Sequence, residues 1–337
     1  MKPGTLDDII RMWRTDLKGK NNNSYKFVLQ DAILNAIQNH QNTINSKFIF
    51  DNFIRTYWNN SVVYKFREAN NPNQEPLVIQ SIKAVSENNG LDGITLKDVL
   101  KRKKWIESDL IKEVQSIMKS DIRSFLQNPV SRLQNDSSTK NKKGNGDISG
   151  SGWLYAWDMK NDTIILNEPL TKIISEHIEL FRILTLMAYT EYVEPFNLTP
   201  SILSKLIGET DRKSIPTTVK KIIREYAKDN CFYCSKEVLN PEYDHFIPFA
   251  YVNHCEPWNL VCCCKECNRG KFGKFEKLPE RNMIEKLVER NSQLQEFYST
   301  PNLFVLGHST IQEVYEQAYK SGYKEWEKTK EAGTISN

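Results

Sequence analysis

The chain has 337 residues, of which 39% are hydrophobic and 26% charged, with a net charge of +4. That length suits more than one domain in an ordinary globular protein, and the mild charge permits a nucleic-acid partner without demanding one. No apolar run approaches the ~20 residues needed to span a bilayer, and MKPGTLDDIIRMWRTDLKGK lacks the apolar core of a signal peptide, so the expected location is cytoplasmic.

In chain order, the first clear helix begins after Ser24, an N-cap residue type. Tyr25, Val28, Leu29, Ala32, Ile33 and Ile37 share one face at helical spacing. A dense aromatic and aliphatic run at 48–58 predicts a second helix, and further helices are expected over 77–90 and 96–126. KRKKW at 101–105 is a basic run that suits phosphates or, more simply, a solvated helix face. QNDSSTKNKKGNGDISGSG at 134–152 is polar, rich in Gly and Ser, and without apolar period, which predicts a linker or loop. WLYAWDMKNDTIILN then reads as a hairpin turning at Lys160, Asn161 and Asp162. Helices are predicted over 170–188, 199–207, 215–228, 276–297 and 310–326. No internal repeat is visible.

All seven cysteines lie between Cys231 and Cys267. A disulfide scaffold would spread them through a small secreted chain. Confined to one window they point to a metal, because Cys231-Phe-Tyr-Cys234 and Cys264-Lys-Glu-Cys267 are two CxxC pairs able to supply four thiolates to a tetrahedral Zn²⁺. The stretch between the pairs exceeds a minimal zinc ribbon, so the clip encloses something else. Cys255, Cys262 and Cys263 read as small buried hydrophobes, although Cys263 adjoins Cys264. Trp258 reads as core packing, and His254 as a loop surface residue.

Inside the clip stand Asp244-His245 in DHFIPFA and Trp258-Asn259-Leu260-Val261. Asn268 follows the last cysteine in C-x-x-C-N-R-G-K. This ordered set, about 45 residues long, resembles the HNH, or ββα-metal, nuclease family. The wider arrangement, a helical part before the module, is similar to HNH-type restriction and defence nucleases. The resemblance implies two strands and a helix around one divalent cation. It makes His245 the general base, Asp244 and Asn268 cation ligands, and Asn259 the middle Asn, which orients His245 or pins the intervening loop. Asn268 stands where the family often has His, which favours oxygen coordination and hence Mg²⁺ or Mn²⁺. Arg269 and Lys271 are implied phosphate contacts. A histidine titrating near neutrality suits deprotonation of an attacking water, and a hard cation suits the charge that builds on the phosphate and its leaving oxygen. Adjacent residues on a strand face opposite ways, so Asp244 and His245 should serve different sides of the site.

The chain is thus expected to be mainly α with small β elements (α+β). Its segments are a helical N-terminal region for DNA or partner recognition (1–133), a linker or loop (134–152), a hairpin plus helices (153–230), a zinc-stapled ββα-metal HNH module (231–275) and C-terminal helices (276–337). The expected function is metal-dependent hydrolysis of phosphodiester bonds in double-stranded DNA, in restriction or host defence, as a homodimer or with a partner protein, and with no membrane. A catalytically silent zinc module that binds nucleic acid, and a nuclease directed to RNA or dependent on a partner, are the alternatives.

Overall fold

The computed structural model describes residues 5–18, 23–69, 71, 75–102, 107–118, 154–158, 161–208, 214–298 and 308–327. The linker expected at 134–152, residues 103–105 of the basic run and the end of the helix expected over 96–126 lie outside the described residues. The described part is mainly helical with two small antiparallel sheets. No described helix is long and apolar enough to cross a membrane. The chain divides into two compact units between Asn197 and Leu198.

The first unit contains α1 (Leu6–Lys18), α2 (Tyr25–Gln38), α3 (Ser46–Trp58), α4 (Leu77–Asn88), α5 (Leu96–Lys101), α6 (Glu107–Met118), α7 (Glu168–Glu176) and α8 (Ile178–Val193). Helix α2 is its centre. Phe27, Val28, Leu29, Ala32, Ile33, Leu34, Ala36 and Ile37 are all buried, so this helix is apolar nearly all round, as a central helix must be. Phe27 stacks on Tyr189 of α8 at 5.3 Å between ring centroids, and Tyr25 stacks on Phe53 of α3 at 5.6 Å. Ser24 stands at the N-cap but makes no side-chain cap; its hydroxyl instead meets Tyr57 Oη at 2.9 Å. Helix α1, which the sequence reading did not anticipate, buries Ile9, Trp13 and Leu17, and Trp13 Nε1 donates to Thr185 Oγ1 at 2.9 Å.

The expected hairpin is β2 (Tyr155–Asp158) and β3 (Thr163–Leu166), with Tyr155 opposite Leu166 and Asp158 opposite Thr163. Asp162, at φ 52°, makes the turn. A third strand, β1 (Thr43–Ile44), pairs with β3. Two residues are too few to show a period. Asp162 also accepts from Ser46 Oγ at 2.9 Å, which ties the turn to the start of α3. The stretch read above as one segment, 153–230, is therefore divided: its hairpin, α7 and α8 pack within the first unit. The helix expected over 170–188 is likewise two helices, broken at His177 (φ −127°, ψ 30°). A buried polar network sits in this unit, where Glu68 accepts from Asn60 Nδ2 at 2.9 Å and Tyr189 Oη at 2.7 Å. Burial pushes the Glu68 carboxyl up to about 7.

The second unit contains α9 (Ile202–Ile207), α10 (Thr217–Ala227), β4 (Glu242–His245), α11 (Phe249–Val252), β5 (Leu260–Cys263), α12 (Lys265–Arg269), α13 (Met283–Tyr298) and α14 (His308–Lys320). Strands β4 and β5 pair antiparallel with Glu242 opposite Cys263 and His245 opposite Leu260. Ile223 of α10 packs on Leu260 and Cys262, closing one side of that pair. Beyond α14 the chain returns, and Trp326 N donates to Leu278 O at 2.7 Å.

Candidate functional site

The first cysteine pair sits in a tight turn. Cys231 N donates to Lys236 O and Ser235 N to Cys231 O, both at 2.8 Å, and Ser235 takes φ 60°. Phe232 N donates to Cys262 O at 2.8 Å, which fastens this turn to β5. The second pair opens α12, where Cys264 is the N-cap and its Sγ accepts from Cys267 N at 3.4 Å. All four ligand atoms lie within 4.8 Å of one another, and Cys234 Sγ is 3.8 Å from Cys264 Sγ. A tetrahedron with Zn–S bonds of about 2.3 Å separates its sulfurs by about 3.8 Å, so the donor set fits one Zn²⁺. None of the seven cysteines is in a disulfide. Burial pushes the Cys264 thiol up to about 11 and Cys267 further up. In Cys234 burial also raises the thiol, but hydrogen bonds from the Lys236 backbone and the neighbouring cysteines bring it down overall. Thiols held neutral by burial must give up protons to a metal, so uptake would be pH-dependent. Cys262 and Cys263 are buried outside this cluster and raised by burial, Cys262 to about 11.

Asp244 and His245 follow one another on β4 and meet different neighbours, as strand alternation requires. Asp244 Oδ2 accepts from Tyr233 Oη at 2.7 Å and pairs with Lys274 Nζ at 3.0 Å. The His245 ring lies 5.1 Å from that of Phe249. Both residues are buried. Asn259 is fully buried, with Oδ1 accepting from Ile247 N at 2.7 Å and Nδ2 donating to Ile247 O at 2.8 Å. Of the two roles open to it, these bonds belong to the second: they pin the chain where it leaves β4.

Asn268 lies on α12 and donates from Nδ2 to Glu242 Oε2 at 2.9 Å. Arg269 Nε donates to the other oxygen of the same carboxylate at 2.8 Å, so this arginine, expected to meet phosphate, is engaged by Glu242. Lys271 lies over the exposed ring of Phe272, 5.1 Å from its centroid. Among the described residues, the four cysteines are the one group of three or more His, Cys, Asp or Glu residues close enough to hold an ion. Asp244 and Asn268, expected to share a cation, thus have separate protein partners. His254, expected on a loop surface, is half-buried against Trp258 at 5.7 Å, and Trp258 is buried as expected.

Three residues that no motif in the sequence marks complete this arrangement. Glu242 precedes Asp244 by two positions and therefore shares its strand face, a signal that was legible. Tyr233, between the first two cysteines, caps Asp244. Lys274 is fully buried and donates to His245 O at 2.9 Å and Phe275 O at 3.1 Å besides its ion pair. Those three acceptors satisfy all three ammonium protons. Nothing in Lys274's surroundings in sequence distinguishes it from Lys271.

No protein family, curated protein or solved structure matches the chain.

Proposed function

We propose that this chain is a metal-dependent endonuclease of the HNH, or ββα-metal, type, hydrolysing DNA phosphodiester bonds in restriction or host defence. One observation carries the reading: Asp244 and His245 end a strand paired with β5, the two cysteine pairs flank that strand pair, and the helix that follows β5 brings Asn268 back to β4 through Glu242. The resemblance read from DHFIPFA, WNLV and CxxCNRGK names the same residues.

In this reading Zn²⁺ on Cys231, Cys234, Cys264 and Cys267 is structural. Asp244 and Asn268 would hold a catalytic Mg²⁺ or Mn²⁺ with oxygen donors, and that cation would offset the charge on the phosphate and the leaving oxygen. His245 takes the proton from the attacking water. Asn259 fixes the chain beyond His245 through Ile247. Lys274 holds the Asp244 carboxylate while its bond to His245 O holds the backbone beside it. Lys271 faces the phosphates, and Arg269 would have to leave Glu242 to join it.

A second reading, a catalytically silent zinc module that binds nucleic acid, draws support from the engagement of Asp244 by Lys274 and Tyr233. Cleavage of plasmid DNA by the purified chain, with and without Mg²⁺ or Mn²⁺, separates the two. His245→Ala is expected to lower the cleavage rate by roughly 10²–10⁴-fold with DNA affinity nearly intact. Metal-independent or absent cleavage by the wild type, or near-wild-type cleavage by the variant, removes the nuclease reading.

A further inference from the structure

The loop after α12 packs its backbone closely and leaves two phenyl rings exposed. A Cβ on Gly270 would lie 2.5 Å from Glu266 O, and one on Gly273 would lie 2.8 Å from Asn268 O. Both positions are therefore closed to any side chain, and the backbone lies directly on α12. Trp326 Nε1 donates to Phe272 O at 2.9 Å. Phe275 N donates to Asn268 O at 3.0 Å, and Phe275 O accepts from Lys274 Nζ at 3.1 Å. Phe275 sits at φ 48°, a left-handed conformation that is costly for a bulky residue and persists only where the surroundings impose it. These bonds impose it.

The outcome is that Phe272 is 51% and Phe275 57% exposed. Large apolar rings exposed to water forfeit the burial that most phenylalanines obtain. Their setting says what covers them. Lys271 lies over the Phe272 ring, and Lys277 is also exposed on the same short stretch, while Arg269 is neutralised by Glu242. Glu276 is the one carboxylate between Arg269 and Lys277. Exposed aromatic faces interleaved with cations match a phosphate backbone whose bases are free to stack. A paired, stacked duplex offers the phosphates but not the base faces.

We infer that Phe272 and Phe275 form a stacking platform for unpaired bases, so that the surface beside Asn268 takes DNA that is single-stranded or locally melted. This rests on the nuclease reading for its choice of nucleic acid as the partner. Stacking needs no recognition of base edges, so the platform is tolerant of sequence.

The test is binding of a short oligothymidine and of a duplex of the same length, followed by fluorescence anisotropy without divalent metal at several salt concentrations. The single strand is expected to bind more tightly than the duplex. Phe272→Leu and Phe275→Leu keep apolar bulk but remove the ring face, and each should weaken single-strand binding roughly 5- to 100-fold. Duplex binding should be nearly unchanged, as should the salt slope, because a phenyl ring neutralises no phosphate. Zinc content matching the wild type shows that each variant is folded, and Phe272→Tyr, which restores a ring, should restore binding. Preference for the duplex, or leucine variants that bind the single strand like the wild type, overturns the platform even if the wild type cuts plasmid. Ring-dependent single-strand binding by a protein that cuts nothing upholds the platform and removes only the nuclease.

Discussion

The two units bury polar groups in different ways. In the first, buried hydroxyls such as Ser61 and Thr185 donate to carbonyls four residues earlier, and the buried carboxylate of Glu68 is served by the side chains of Asn60 and Tyr189. In the second, short elements are joined by irregular chain, and buried cations serve its carbonyls. Lys205 donates to Pro200 O at 2.8 Å and Tyr251 O at 2.6 Å. Lys274 reaches His245 O and Phe275 O. Arg290 reaches Leu260 O at 2.8 Å and Trp258 O at 3.0 Å. Burial lowers Lys205 to about 7 and Arg290 to about 9. A backbone carbonyl shut away from water needs a donor from somewhere. Where regular structure is scarce a lysine or arginine supplies several at once. The lesson is that basic residues near a proposed nucleic-acid site are not all there for phosphate.

The two units should part most sharply when the cysteines are changed. Structural zinc in small modules contributes on the order of 10–16 kcal/mol of apparent binding free energy at neutral pH. Cys231→Ser or Cys267→Ser is therefore expected to abolish amide protection across β4, β5 and α12 in hydrogen exchange, while α2, α3 and α8 keep theirs. Elemental analysis of the wild type should give one zinc per chain. A well-folded wild type without zinc would refute the metal clip, and loss of protection in α2, α3 and α8 as well would refute a zinc site that supports the second unit alone.

A smaller effect is expected at Lys274. Removing one partner of a buried ion pair costs about 3–5 kcal/mol because the other charge is left uncompensated. Lys274→Met should lower protection of the β4 amides by that amount and leave the first unit unchanged. If β4 is as protected as in the wild type, the ion pair with Asp244 does not hold the strand.

The side-chain network of the first unit should show itself through pH. Glu68 titrates near 4.5 when exposed and at about 7 in the folded chain, chiefly because it is buried. The folded state binds the extra proton between those values. Stability from Glu68 is thus fully present below the unfolded value, declines as pH rises, and is lost above about pH 7. The decline amounts to about 3 kcal/mol. Thermal melts of the wild type from acid to neutral pH should show it, and Glu68→Gln should flatten it. Parallel profiles for the two proteins would mean that Glu68 is ionised in the folded state.

Much of this molecule was legible in its sequence. Apolar spacing after Ser24 marked α2, and the two runs flanking Asp162 marked the hairpin, because each of these elements shows its own period within a few residues. The paired CxxC motifs marked the cysteine cluster, because a tetrahedral thiolate site has a short spacing rule that survives any surrounding fold. Asn259 was singled out by its place in WNLV, with two roles left open. Tertiary structure alone decided the rest. Two-residue β1 has no period to read, and its partner β3 lies more than a hundred positions away along the chain. Lys271 and Lys274 look alike in GKFGK, yet one lies exposed beside Phe272 and the other is fully buried on Asp244. Lys274 turns inward onto Asp244, His245 O and Phe275 O, acceptors that only the folded chain brings around it, and no pattern of side chains in the sequence records that meeting.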